Sequence, residues 1–371
     1  MRVAFDHHIF AIQRYGGVSR YFVELASRLP KDVVSDISVV APLHINQYLS
    51  QARAQRITRG RFFPFTFRGH IRFVSLVDKL MAPLAWSGLR PDIVHETFFS
   101  DQPVGHGRKR VLTVYDMIHE LFTEEFADTG PMTAAKRAAV ARADHVICIS
   151  ESTRQDLIRL FGVEPARTSV VHLAHSMTSE VAVVAETDAS VRKPIILYVG
   201  HRSGYKNFRR FAQAYAGSAL LKKEFEIVAF GGPPFSAQEN VELEQLGIRD
   251  RVRYRSGTDD ELVECYRTAA VFVYPSLYEG FGIPPLEAMS WGCPVACGTG
   301  GSLPEVVGDA GVYFDALSVE EMRSAMERIV TTPSLQAELR ARGYSRIKNF
   351  SWDRCAAETA SVYRSLLDRA T

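Results

Sequence analysis

The chain has almost no excess of charge: 44 basic side chains stand against 42 acidic ones, a balance of +2. No global field draws it to a polyanion, so nucleic acid is not expected among its partners. Cysteine is scarce, odd in number and scattered (Cys148, Cys265, Cys293, Cys297 and Cys355). Without a paired CxxC spacing there is no zinc site to read, and a reducing cytoplasm is the simplest setting. No stretch approaches the roughly 18 uninterrupted apolar residues of a membrane span, so any membrane contact is expected to be peripheral. The first residues, Met1 to Asp6, lack the apolar run of a signal peptide. No GxGxxG follows a strand: Gly298-Thr-Gly300-Gly301 and Gly280-Phe-Gly282 both lack the third glycine, which disfavours a dinucleotide-dependent dehydrogenase. Internal repeats and low-complexity tracts are missing too.

What is present is an ordinary globular composition, 46% apolar and 23% charged, in 371 residues. That length suits two domains of roughly 150–200 residues each. Short β-type runs at 37–40, 93–95, 111–115 and 145–149 alternate with helical patterns such as 18–29 and 152–161, the latter stopping at Gly162. Such alternation predicts a parallel sheet covered by helices. Between Met177 and Pro194 periodicity gives way to small and polar residues, and a second set of strands follows at 195–199, 225–230, 252–254, 271–274 and 294–297. The expected fold class is therefore α/β, with two Rossmann-like doubly wound domains. The boundaries are a first domain at 1–178, a linker at 179–194 and a second domain at 195–351. An amphipathic helix from Trp352 to Arg369 is able to pack on either domain, back onto the first included.

The richest stretch runs from Tyr274 to Pro294. A strand ends near Tyr274, a Gly-rich turn carries Glu279, Phe281 and Gly282, and Ile283, Pro284 and Pro285 open a helix. Glu287 lies on that helix, and Gly292 closes it after about two turns. The open helix end presents unpaired N–H groups and a partial positive charge, which suits a diphosphate. Two carboxylates beside such an end can grip hydroxyls on either side of the phosphates; taken alone, the pair reads first as solvated charges or caps.

EGFGIPPLEAM at 279–289 resembles the signature of the family 4 glycosyltransferases, retaining enzymes of GT-B fold. YVGHRSGYKNF at 198–208, GTDDELVECYRTAAVFVYPSLYEGFG at 257–282, GGSLPEVVGDAG at 300–311, ICISESTRQDLIRLFGV at 147–163 and QRYGGVSRYFVELA at 13–26 are similar to the family as well. The resemblance runs nearly end to end and is weakest from about Leu43 to Arg90. It implies two domains facing across a cleft, the first (1–178) binding a glycan or lipid-linked glycan acceptor and the second (195–351) a nucleotide-diphosphate sugar donor, and no cofactor. It places Glu279 near the donor sugar's hydroxyls and Glu287 on the ribose. Backbone N–H groups of Phe281, Gly282 and Ile283 go to sugar and phosphate, and Arg202 and Lys206 to the diphosphate. Gly16 and Gly17, before the first long helix, match the loop that reaches the phosphate from the other domain. Arg20 either assists there or is a surface charge.

The match departs from the family at Tyr115, where many relatives carry a histidine beside the reacting sugar. Asp116, at a strand's C-terminal end, is placed for an acceptor hydroxyl; His119 either reaches the same cleft or is a satisfied loop histidine. His95, ending another strand, is a weaker acceptor candidate. No Asp-x-Asp occurs in the chain, so a metal clamp has no obvious ligands and cations of the protein must meet the leaving group. A donor of guanosine diphosphate with mannose or a deoxymannose, for surface polysaccharide or lipopolysaccharide synthesis, is the reading suggested by the N-terminal resemblance. From Arg53 to Arg110 arginines and lysines interleave with Phe62, Phe63, Phe65, Phe67, Phe73 and Trp86, which suits either an anionic membrane surface or charges over core aromatics. The competing functions are a nucleotide-sugar epimerase of related fold, which would lack the Glu279-to-Glu287 signature, and a non-catalytic partner in glycan assembly, which would have lost donor-binding residues.

Overall fold

Thirteen short strands, most of them rich in Val, Ile and Ala, sort into two separate parallel sheets in this computed structural model, which describes residues 1–126, 129–175, 192–202 and 204–368. The chain divides into two units: Met1–Leu173 with Trp352–Thr371, and Ala174–Ser351. The stretch read as a linker lies, from 179 to 191, outside the described residues.

In the first unit the strands are β1 (Arg2–Phe5), β2 (Asp36–His44), β3 (Thr58–Phe62), β4 (Ile93–Glu96), β5 (Lys109–Val114), β6 (His145–Cys148) and β7 (Thr168–Val170). Their order is β3-β2-β1-β4-β5-β6-β7, every pair parallel. The order reverses between β1 and β4, and such a switch point opens a crevice at the strands' C-terminal ends. The Glu151–Phe161 helix starts where the Ser150 hydroxyl accepts the Thr153 N–H, and it stops at Gly162 in the left-handed region. The Trp352–Asp368 helix packs on the Gly17–Arg28 helix, with Trp352 near Tyr21 and the Tyr363 hydroxyl 2.6 Å from His95.

In the second unit β8 (Lys193–Val199), β9 (Glu226–Phe230), β10 (Val252–Arg255), β11 (Ala269–Tyr274), β12 (Val295–Gly298) and β13 (Gly311–Phe314) line up as β10-β9-β8-β11-β12-β13, again all parallel. Strand β8 begins two residues before the expected Ile195. Pro194 is tolerated there because the ladder to β9 starts only at Ile195. Tyr198, Phe211, Tyr215, Met322 and Met326 fill the core on one face of the sheet. The switch point of this unit lies between β8 and β11.

Candidate functional site

The loops that leave β8 and β11 at this second switch point carry the sequence's most distinctive residues. Lys206 Nζ donates to Glu279 Oε1 at 2.7 Å and to the Tyr274 hydroxyl at 3.3 Å. Burial first, then the neighbouring Glu279, holds the Tyr274 hydroxyl well above its ordinary pKa, so it stays protonated. The two loops are stitched together by backbone. Leu277 N–H donates to the Tyr205 carbonyl at 2.7 Å, and the buried Asn207 side chain donates to the carbonyls of Pro275 and Ala316 at 3.0 and 2.7 Å. Asn207 holds a left-handed backbone (φ 60) to make this junction. Lys206 is thus fixed opposite Glu279 by its neighbours on both sides.

The turn after Glu279 is pinned from a third segment. The wholly buried Ser302 hydroxyl lies 2.6 Å from the Phe281 carbonyl and 3.0 Å from that of Glu279, whose oxygen also accepts the Ser302 N–H. Gly301 packs so close that a Cβ there would meet the Glu279 carbonyl at 2.3 Å. Gly282 then turns the chain with φ 109 and opens the Ile283–Ser290 helix without a side-chain cap. Pro284 and Pro285 have no N–H to orphan, so the amides of Gly282 and Ile283 are what the helix end presents. The Phe281 ring is buried against Phe350 and leaves only its backbone at the turn. Glu287, one turn on and buried, accepts from the Tyr266 hydroxyl at 3.2 Å.

Arg202 is not brought to the Lys206–Glu279 pair. Its guanidinium, 2% exposed, donates to Glu239 Oε1 (2.8 Å) and to the Gly231 and Pro233 carbonyls (3.2 and 2.6 Å), and it lies over Phe235. Glu239 is the capping-box residue of the Ala237–Gln245 helix. Burial opposes its ionisation, but the bonds from Arg202 and Ser236 outweigh this and hold its pKa below the usual range. Of the expected pair of phosphate-binding cations, Lys206 therefore lies on Glu279 and Arg202 on Glu239.

In the first unit Gly16 and Gly17 begin the Gly17–Arg28 helix, where the Gln13 side-chain carbonyl accepts the Ser19 N–H at 3.1 Å. Arg20 lies over the Tyr48 ring. Asp116 accepts the Ile118 N–H at 3.0 Å just past β5, and His119 lies on the Phe126 ring at 4.4 Å. Both are half-buried. Tyr115, at the family's histidine position, is buried beneath them with its hydroxyl toward the Thr97 carbonyl. His95 is a core histidine: fully buried, it bonds Tyr363 (2.6 Å) and Thr113 (2.8 Å), and burial depresses its pKa to about 3.

One constellation escaped the sequence reading. Asp6, wholly buried at the end of β1, accepts from the backbone of Thr97 at 3.1 Å and also binds its hydroxyl, while its other oxygen lies 3.0 Å from His8 Nδ1. Burial alone would raise the Asp6 carboxyl, yet His8 holds it well below the usual range; the same contact lifts His8 above its ordinary value against burial. Acid and histidines directly after a strand were the available signal.

Comparison with known proteins agrees with these two halves. The model described as Glycosyltransferase Family 4 matches residues 15–174, and that of Glycosyl transferases group 1 matches residues 183–346, so together they take up most of the chain. O-antigen chain mannosyltransferase B of Escherichia coli is 28% identical over 94% of this chain and 96% of its own. In structure the chain resembles sucrose-phosphate synthase from Thermosynechococcus elongatus (TM-score 0.71, 18% identity, 99% of each chain). It also resembles HepE from Anabaena in complex with UDP (TM-score 0.70, 16% identity, 98% and 100%). With two parallel Rossmann-like sheets, the family's signature at a switch point, and both family models in register with the two units, the chain belongs to the family 4 glycosyltransferases and has the GT-B fold.

Proposed function

We propose that this glycosyltransferase moves mannose or a related hexose, with retention of anomeric configuration, from a nucleotide-diphosphate sugar to a glycan or lipid-linked glycan of a bacterial surface polysaccharide. The observation that carries this reading is the Lys206–Glu279 pair beside the uncapped Ile283–Ser290 helix at the C-terminal ends of β8 and β11. The likeness to an O-antigen mannosyltransferase over nearly the full length of both chains supports the sugar and the acceptor class.

As the glycosidic bond breaks, positive charge grows on the sugar and negative charge on the leaving diphosphate. Lys206 and the amides of Gly282 and Ile283 are the groups placed to meet the second. Glu279, released by Lys206 to the sugar hydroxyls, and Glu287, exchanging the Tyr266 hydroxyl for ribose hydroxyls, orient the donor. Arg202 would join Lys206 on the diphosphate only by leaving Glu239. Asp116 and His119 are the residues offered to the acceptor hydroxyl, and Gly16 and Gly17 those the family resemblance offers to the phosphate. Retention fits a front-face attack in which the leaving phosphate takes the acceptor's proton. No metal is required in this scheme, and transfer is expected to persist in excess EDTA; loss of activity on chelation would overturn that part.

With such an acceptor the enzyme would work at the inner face of the cytoplasmic membrane. Among the described residues no helix is long and apolar enough to cross a membrane. The His70–Trp86 helix nevertheless exposes Leu76, Leu80 and Leu84 at four-residue spacing, next to exposed Phe65, Phe67 and Phe73. Arg61, Arg68, Arg72 and Lys79 are exposed among them, whereas Trp86 is buried and Phe62 and Phe63 are half-buried. Flotation with vesicles containing anionic lipid is expected to carry the protein, and neutral vesicles are expected to carry less; equal behaviour would remove the membrane from the account. The whole reading is tested by assaying a panel of nucleotide sugars with and without acceptor glycans. Transfer that needs both supports it, and turnover of the donor's sugar without any acceptor would point to an epimerase instead.

A further inference from the structure

Among the described residues Lys136 is the only buried lysine, 0% exposed on the Thr129–Arg142 helix of the first unit. An ammonium is rarely taken out of water unless it is paired and hydrogen-bonded. Here Nζ donates to Glu120 Oε2 at 2.7 Å and to the Asp116 carbonyl at 3.0 Å, and it stands 5.1 Å from the centre of the Phe99 ring. Glu120, its side chain 6% exposed, is gripped twice by the same helix, because its other oxygen accepts the Thr133 hydroxyl at 2.8 Å. Thr133 and Lys136 are three positions apart and share a helix face.

What the pair holds is the segment that follows β5. Its regular structure is a single turn, Ile118–Leu121, in which the Met117 carbonyl accepts from Glu120 and Leu121 at 3.2 and 3.0 Å. Asp116 Oδ1 accepts the Ile118 N–H at 3.0 Å. A lone turn is not stable by its own hydrogen bonds. This one is tied at both ends to one buried ammonium, Asp116 through its carbonyl and Glu120 through its carboxylate, with His119 between them. An apolar pair of similar volume would serve packing there as well or better, since desolvating two charges often outweighs their attraction. What the charged pair adds is direction: its bonds fix a geometry that apolar contacts would leave loose.

We propose that Lys136 is a positioning residue for transfer. With Glu120 it holds the 116–121 segment in one arrangement, so that the Asp116 carboxylate and the His119 ring reach the acceptor hydroxyl together. This rests on the acceptor role given to those two residues above. Lys136 itself, wholly covered, touches neither substrate.

Variants of the pair separate position from stability. Lys136→Met strands Glu120 as a buried, unpaired carboxylate and is expected to lower the melting temperature; adding Glu120→Leu removes both charges and is expected to return most of it. Hydrogen exchange at the amides of Glu120 and Leu121 is nevertheless expected to quicken about tenfold or more in the double variant, because the turn has lost both ties. Kinetics use guanosine diphosphate mannose with a mannobiose glycoside, and otherwise the active pair from the panel above. The double variant is expected to lose about tenfold or more in kcat/KM for the acceptor, while the donor KM stays within about twofold. Thr133→Val, a milder change at the same carboxylate, is expected to shift the same ratio about threefold. In an Asp116→Asn background, which keeps an oxygen for the Ile118 N–H, the double substitution is expected to add less than about threefold, since Lys136 acts through that residue. Wild-type acceptor kinetics in the double variant, or a full further loss on top of Asp116→Asn, overturns the positioning role and leaves the function standing. Unimpaired transfer by Asp116→Asn, or a wild type that transfers from no donor in the panel, refutes the acceptor reading itself and takes the proposal with it.

Discussion

Replacing Lys206 by Met removes the cation 2.7 Å from Glu279 and leaves that carboxylate beside a buried tyrosine hydroxyl. Breaking a fully buried pair from one side costs about 3–5 kcal/mol. Here the side chains are 18% and 9% exposed, so water replaces part of the lost partner and about 1–3 kcal/mol is the expected loss. For a domain of this size that lowers the melting temperature by about 3–10 °C. Glu279→Gln should cost less, because an exposed edge of the lysine can still reach solvent. The double substitution removes both charges and should recover about 1–2 kcal/mol relative to the sum of the singles. Differential scanning calorimetry of the four proteins measures this coupling in the second unit's transition. Strictly additive losses would show that the two charges do not interact, and the ion pair at the heart of the candidate site would have to be abandoned.

Ser302→Ala should lower donor affinity without touching the donor: it deprives the buried carbonyls of Phe281 and Glu279 of a hydroxyl donor, worth about 1–3 kcal/mol, and loosens the turn before the helix. Titration calorimetry with the best nucleotide sugar checks it, and unchanged affinity would show that the turn is held by other contacts. Glu287→Ala is expected to abolish most transfer while the protein remains folded; full activity would contradict the ribose assignment. Acid should destabilise the first unit more than the second. Burial depresses His7 and His44 to about 4 and His95 to about 3 in the first unit, and His175 to about 4 in the second. The unfolded chain binds protons these groups refuse, so their contribution is complete above about pH 6.5 and is lost as pH falls toward 4. His8, raised, and Asp78, whose carboxyl burial lifts to about 7, work in the opposite sense and offset part of this loss. Melting temperatures between pH 7 and 4.5 that fall equally for both units would refute this distribution.

The legible parts of the chain were those whose meaning is local. The buried runs at 93–95, 145–149 and 271–274 announced themselves by composition, and the spacing from Glu279 through two prolines to Glu287 described its own turn and helix before any fold was known. Strand β3, Thr-Arg-Gly-Arg-Phe, was hidden because an edge strand need not be apolar. Three- and four-residue strands such as β7 and β13 are too short to show a period. Side-chain partners were the least legible. Arg202 finds Glu239 37 positions away, His95 finds Tyr363 268 positions away, and Asp6 meets Thr97 only because β1 and β4 are neighbours in the sheet. Strand order creates these contacts, and no spacing in the sequence encodes them.

The turn from Glu279 to Ile283 is proposed to hold a sugar-linked diphosphate. A crystal structure with nucleoside diphosphate tests it most directly. The phosphates are predicted on the amides of Gly282 and Ile283 within hydrogen-bond reach of Lys206, with Glu287 on the ribose. A nucleotide bound elsewhere, or bound there with Lys206 still closed on Glu279 and Glu287 still on Tyr266, would contradict it.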